Sequence, residues 1–77
     1  MKVEVEREEI DRRRICWFIG INGKKVGTIF GEVVDGFPLY IWIGAGEEKR
    51  YPNFDLAFHG ALETCEKKVR REAGYED

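Results

Sequence analysis

Two dipeptides, Asn22-Gly23 and Asp35-Gly36, cut the middle of this 77-residue chain into three apolar runs. Asn-Gly and Asp-Gly favour two-residue hairpin loops because both central residues accept a positive φ. A chain punctuated in this way folds as an antiparallel meander, with strands over residues 14–21, 24–34 and 37–45. Two-residue loops set Ile21 opposite Lys24 and Val34 opposite Phe37. Carried along without interruption, that register gives one face Ile15, Trp17, Ile19, Ile21, Val26, Thr28, Phe30, Val34, Phe37, Leu39, Ile41 and Ile43. The other face receives Cys16, Phe18, Ile29, Val33, Tyr40 and Trp42, spaced by Gly20, Gly27, Gly31 and Gly44. Cross-strand pairs support it: Phe18 with Gly27, Trp17 with Thr28, Ile29 with Trp42 and Phe30 with Ile41.

The flanks complete an α+β reading of a single domain over residues 1–77. Residues 1–13 form a charged N-terminal segment. Its alternating start, Lys2-Val3-Glu4-Val5-Glu6, suits a short edge strand whose charges deter further pairing. The meander occupies residues 14–51. Beyond Gly46, a short segment Lys49-Arg50-Tyr51 ends at Pro52, and a loop of two or four residues would set Tyr51 beside Trp42. Asp55 is the expected N-cap of one helix over residues 55–73, with Gly74 at its end. Phe58, Ala61, Leu62, Cys65 and Val69 make its apolar stripe, Phe54 packs back on Phe58 or His59, and Glu63–Lys67 and Glu66–Arg70 are i,i+4 pairs. One helix covers one face of a sheet. The register assigns it to the first face and leaves Cys16, Phe18, Ile29, Tyr40, Trp42 and Tyr51 as an aromatic surface, rimmed by Arg14, Lys25 and Lys49.

Little in the chain points to catalysis. His59 is the sole imidazole, and there is no serine to act as a nucleophile beside it. Cys65 lies on the helix stripe as a small buried hydrophobe, and Cys16 lies on the far side of the sheet, so the two do not form a disulfide. Two cysteines and one histidine do not close a zinc site. No glycine loop precedes a helix in a way that would cradle phosphate. No enzyme activity, cofactor or metal is expected. A net charge of -2 gives no bulk attraction to nucleic acid or an anionic membrane, and no stretch is apolar enough to span a bilayer. Unpaired cysteines point to the cytoplasm. The absence of Ser and Gln beside abundant Glu, Lys and Arg is the bias of thermophilic proteins.

A three-stranded meander followed by one helix, with Asn22-Gly23-Lys24-Lys25 at the first turn and Phe54 before the helix, resembles the arm-site DNA-binding domains of tyrosine integrases and plant-type AP2 domains. The likeness covers about residues 14–71. It implies a sheet face that reads duplex DNA opposite the helix, yet this chain offers Cys16, Phe18, Ile29 and Trp42 where a groove reader needs Arg, Lys and Asn. The residues favour a protein-binding module instead. Its aromatic face would meet a second copy, or a host or cognate protein that a small viral or mobile-element accessory chain inhibits. The alternative is binding of single-stranded or duplex nucleic acid on the same face, with Phe18, Tyr40 and Trp42 stacking bases.

Overall fold

The computed structural model describes the backbone of residues 2–72 and the side chains of residues 2–67. Five strands, β1 (Val3–Glu9), β2 (Arg14–Ile21), β3 (Lys24–Val34), β4 (Phe37–Gly44) and β5 (Glu47–Tyr51), form one antiparallel sheet in chain order. A single helix, α1 (Phe54–Glu72), packs over β3, β4 and β5. The class is the α+β meander that the turn dipeptides predict. The charged start of the chain goes further than a short edge strand: β1 runs through Arg7-Glu8-Glu9 and pairs with residues 15–21 of β2.

Three hairpins turn on two residues each, with positive φ at both positions: Asn22 (54°) and Gly23 (80°), Asp35 (51°) and Gly36 (80°), Ala45 (52°) and Gly46 (77°). This is the loop geometry that matches strand twist. The third loop sets Tyr51 opposite Tyr40, on the face of Trp42. Ala45 has a Cβ that the left-handed region disfavours by about 1–2 kcal/mol, so this hairpin closes against local strain.

The β3–β4 register is the expected one, with Val34 opposite Phe37, Phe30 opposite Ile41 and Ile29 opposite Trp42. The β2–β3 register is not. Ile21 does face Lys24, and Gly20 faces Lys25, but the next pair is Ile19 with Gly27. Val26 is therefore an extra residue, a β-bulge. Because side chains alternate with a period of two, one extra residue exchanges the faces of everything beyond it. Trp17 pairs with Ile29 rather than Thr28, and Phe18 with Thr28 rather than Gly27. The bulge brings Trp17, Ile19 and Ile21 onto the same face as Ile29, Tyr40, Trp42 and Tyr51.

That combined face is the core. Ile19, Ile21, Ile29 and Trp42 are buried there with Ala57, Ala61 and Cys65 of α1, and Trp17, Tyr40, Tyr51, Phe54 and Phe58 pack around them. The packing explains why the bulged register wins. The rings lie over glycines: a Cβ at Gly27 or Gly44 would overlap the Trp42 ring, and one at Gly31 would lie 2.8 Å from the Trp17 ring. Large rings beneath in turn match a helix whose sheet-facing residues are small. Ala57, Gly60, Ala61, Thr64 and Cys65 recur at i, i+3 and i+4, and Gly60 makes room for the Tyr51 hydroxyl.

The helix starts earlier than its sequence suggests. Asn53, not Asp55, is the N-cap: its Oδ1 accepts from the Leu56 N–H at 2.9 Å. Phe54 is the first helical residue and stacks on Phe58, with ring centroids 5.7 Å apart. Glu63 and Lys67 pair at 3.6 Å as expected. Val69, Arg70 and Gly74 lie outside the residues whose side chains are described.

Candidate interaction surface

With the helix on the tryptophan face, the other face of the sheet is open. Cross-strand pairing defines its rows. One row reads Glu8, Cys16, Phe30, Ile41, Arg50, and the next Glu6, Phe18, Thr28, Ile43, Glu48. Arg14, Glu32 and Leu39 follow, and Val34 with Phe37 close the end at the second hairpin. The centre is therefore apolar, built from Phe18, Phe30, Leu39, Ile41 and Ile43. Acidic residues Glu4, Glu6 and Glu8 line its β1 edge, and Glu48 and Arg50 line its β5 edge. Phe18, Phe30, Leu39 and Ile41 are half-buried at the centre, and exposure is higher at the two ends, 42% at Ile43 on one and 44% at Val34 and 75% at Phe37 on the other.

The expected aromatic surface is thus divided, and its membership is corrected. Ile29 and Trp42 have no exposed surface and sit under α1, with Tyr40 and Tyr51 part of the same core. Phe18 stays on the open face, as does Cys16, although its neighbours cover it to 3% exposure. Cys65 is buried on the helix side, so the thiols stand on opposite sides of the sheet. The rim changes too. Lys49 lies on the helix side, opposite Trp42, and pairs with Glu47 at 3.5 Å. Lys25 does border the open face, with its Nζ 3.7 Å from the centre of the Phe18 ring. Arg14 is held by its own loop. Its guanidinium meets Asp11 at 2.7 Å, while Asp11 Oδ1 accepts from the Arg13 and Arg14 amides. The Arg14 hydrogen bond and the backbone donors hold the Asp11 carboxyl below its ordinary range.

Phe30, Leu39, Ile41 and Ile43 are the residues that take over the surface. Their signal was the alternation Phe37-x-Leu39-x-Ile41-x-Ile43, read in the sequence as core. The small-residue stripe on the helix was the available hint that the tryptophans, not these aliphatics, lie beneath it.

One polar cluster ties the helix to its sheet. Glu47 Oε1 accepts from the Thr64 hydroxyl of α1 at 2.6 Å and from Trp42 Nε1 at 3.2 Å, with Lys49 beside Oε2. The Thr64 bond is the main reason that the Glu47 carboxyl sits below its ordinary range. Burial opposes the shift, and Lys49 and Trp42 add to it. The cluster satisfies the indole N–H of the buried Trp42 and links α1 to β4 and β5.

His59 is exposed and lies against Phe58. Among the described residues, no group of three or more His, Cys, Asp or Glu could hold a metal, and no helix is long and apolar enough to cross a membrane. Comparison of the chain with protein-family models, curated proteins and solved structures finds no match.

Proposed function

We propose that this chain is a non-enzymatic protein-binding module whose interface is the open sheet face, and that the occupant of that face is a second copy of the chain. The observation that carries the reading is the continuous apolar centre of Phe18, Phe30, Leu39, Ile41 and Ile43 on a face that no element of the described residues covers. A buried face of this kind explains apolar residues on a strand side that a wet sheet would fill with polar ones. Size supports the same reading. Five strands about 4.8 Å apart, averaging about eight residues in length at about 3.3 Å per residue, make a face on the order of 600 Å² in projection. A standard interface takes about 800 Å² of accessible surface from each partner, which a corrugated face of that outline supplies. Two sheets packed face to face also restore the sandwich core that a one-helix domain lacks on this side.

Nucleic acid is a poorer fit to this face. Glu4, Glu6 and Glu8 line its β1 edge where phosphates would run, and Tyr40 and Trp42, two of the three rings expected to stack on bases, belong to the core.

Sedimentation equilibrium tests the reading. A mass near 18 kDa, twice the 9.0 kDa chain, is expected at micromolar concentration. Ile43→Glu, at a position 42% exposed, should return it to 9.0 kDa with the helical circular dichroism unchanged. A wild-type monomer at all accessible concentrations overturns the second copy as occupant. Its capture by a cognate protein, or by an oligonucleotide at low salt, would then identify the other occupant.

A further inference from the structure

The charges around the open face distinguish between the ways two copies can meet. In aligned face-to-face packing the two-fold axis lies in the plane between the sheets and runs close to the strand direction or close to its perpendicular. An axis across the strands lays β1 on the partner's β1. Passing through the row of Phe30 and Ile41, it sets Glu8 against the partner's Glu8 and Arg50 against the partner's Arg50, like-charge contacts that interfaces avoid.

An axis along the strands, passing between β3 and β4 where the apolar patch is centred, does the reverse. It places β5 of each copy over β2 of the other, beside β1, and keeps rows at the same height. Phe30 then meets the partner's Ile41, and Thr28 meets the partner's Ile43, so the apolar residues fall on one another. In the row of Cys16, the partner's Arg50 arrives next to Glu8. In the row of Phe18, the partner's Glu48 arrives at the Lys25 ammonium, which rests over the Phe18 ring. Glu6, on β1 like Glu8, also comes next to the partner's Glu48, and the Lys25 ammonium over the Phe18 ring offsets that like-charge contact. The alternation of Glu48 and Arg50 on β5 thus matches the alternation of Lys25 and Glu8 on the partner, and symmetry repeats both pairs.

Building on the reading of the open face as an interface between copies, we infer that the dimer's two-fold axis runs parallel to the strands, with Arg50 of each copy paired to Glu8 of the other and Glu48 to Lys25. A charge swap tests this on the full chain. Glu8→Arg and Arg50→Glu each set two like-charged contacts across the dimer and should weaken self-association about tenfold. The double variant restores opposite charges and should return the dissociation constant to within about twofold of wild type. Both positions are exposed, so the monomer fold is unaffected. A dimer that Ile43→Glu dissociates, but whose two charge effects simply add in the double variant, overturns the axis and leaves the face as the interface. A wild-type monomer overturns both.

Discussion

Both faces of this sheet carry large apolar side chains, yet only one is covered by a described helix. On the helix side, aromatic rings lie flat on glycines, and the helix above them contributes Ala57, Gly60, Ala61 and Cys65. On the other side, Phe18, Phe30, Leu39, Ile41 and Ile43 stand up from strands with no element of the described residues above them. The difference shows that hydrophobicity alone does not decide where a helix docks. Shape does: a face with recesses for its rings lets the helix backbone come close, and a face of upright aliphatics is left for a partner.

The largest expected contrast between the faces is in truncation. Trp42→Ala should cost about 3–5 kcal/mol, much of the roughly 4–12 kcal/mol that a domain of this size possesses. Ile43→Ala, half exposed in the single chain, should cost under about 1 kcal/mol when measured on monomer. Urea unfolding of the two variants at low concentration makes the comparison. Equal losses would break it.

Added methyl groups sharpen the same contrast. Gly27→Ala drives a Cβ into the Trp42 ring and should destabilise by about 1–3 kcal/mol. On the open face, a Cβ at Gly20 meets nothing closer than 3.5 Å, so Gly20→Ala should be neutral or slightly stabilising. Thermal unfolding reads both.

The polar clasp on the closed face predicts a pH dependence. Glu47 has a lowered carboxyl pKa in the folded chain, so its contribution is fully present above the ordinary glutamate range and is lost as pH falls below about 4.5. Thr64→Ala should remove about 1 kcal/mol at neutral pH and flatten the acid limb of the stability curve. An unchanged acid limb in that variant would remove Thr64 as the cause.

The smallest effect belongs to the third hairpin. Ala45→Asn places a residue that tolerates positive φ in the left-handed position and should stabilise by several tenths of a kcal/mol, visible as a higher urea midpoint. A lower midpoint would contradict the strain assigned there.

How far the sequence discloses this arrangement differs between the hairpins. The first two loops and the whole β3–β4 register follow from local chemistry, because Asp35-Gly36 fixes the turn and nothing interrupts the pairing after it, whereas the sequence leaves the length of the third loop, Ala45-Gly46, open. Asn22-Gly23 fixes its turn equally well, but that constraint ends two pairs later at the Val26 bulge. Nothing local marks Val26, since a β-branched residue belongs as readily in a regular strand. The bulge is stabilised from a distance, by glycine seats for Trp17 and Trp42 and by a helix of small residues, and it inverts the membership of the exposed surface. The cap is a milder case. Asn53 and Asp55 both suit an N-cap, and Asn53 takes the position so that Phe54 can reach Trp17, with ring centroids 4.6 Å apart.

The central claim is which face the helix covers, because the proposed interface is what remains. A side-chain nuclear Overhauser spectrum of the dilute, monomeric Ile43→Glu variant tests it most directly. Cross-peaks between the Trp17 and Phe54 rings, and between the Trp42 indole and the Ala61 methyl, are expected, with none from Phe30 or Ile41 to the helix. Cross-peaks from Phe30 and Ile41 to Ala57 or Ala61, with Trp42 free of the helix, would contradict the account.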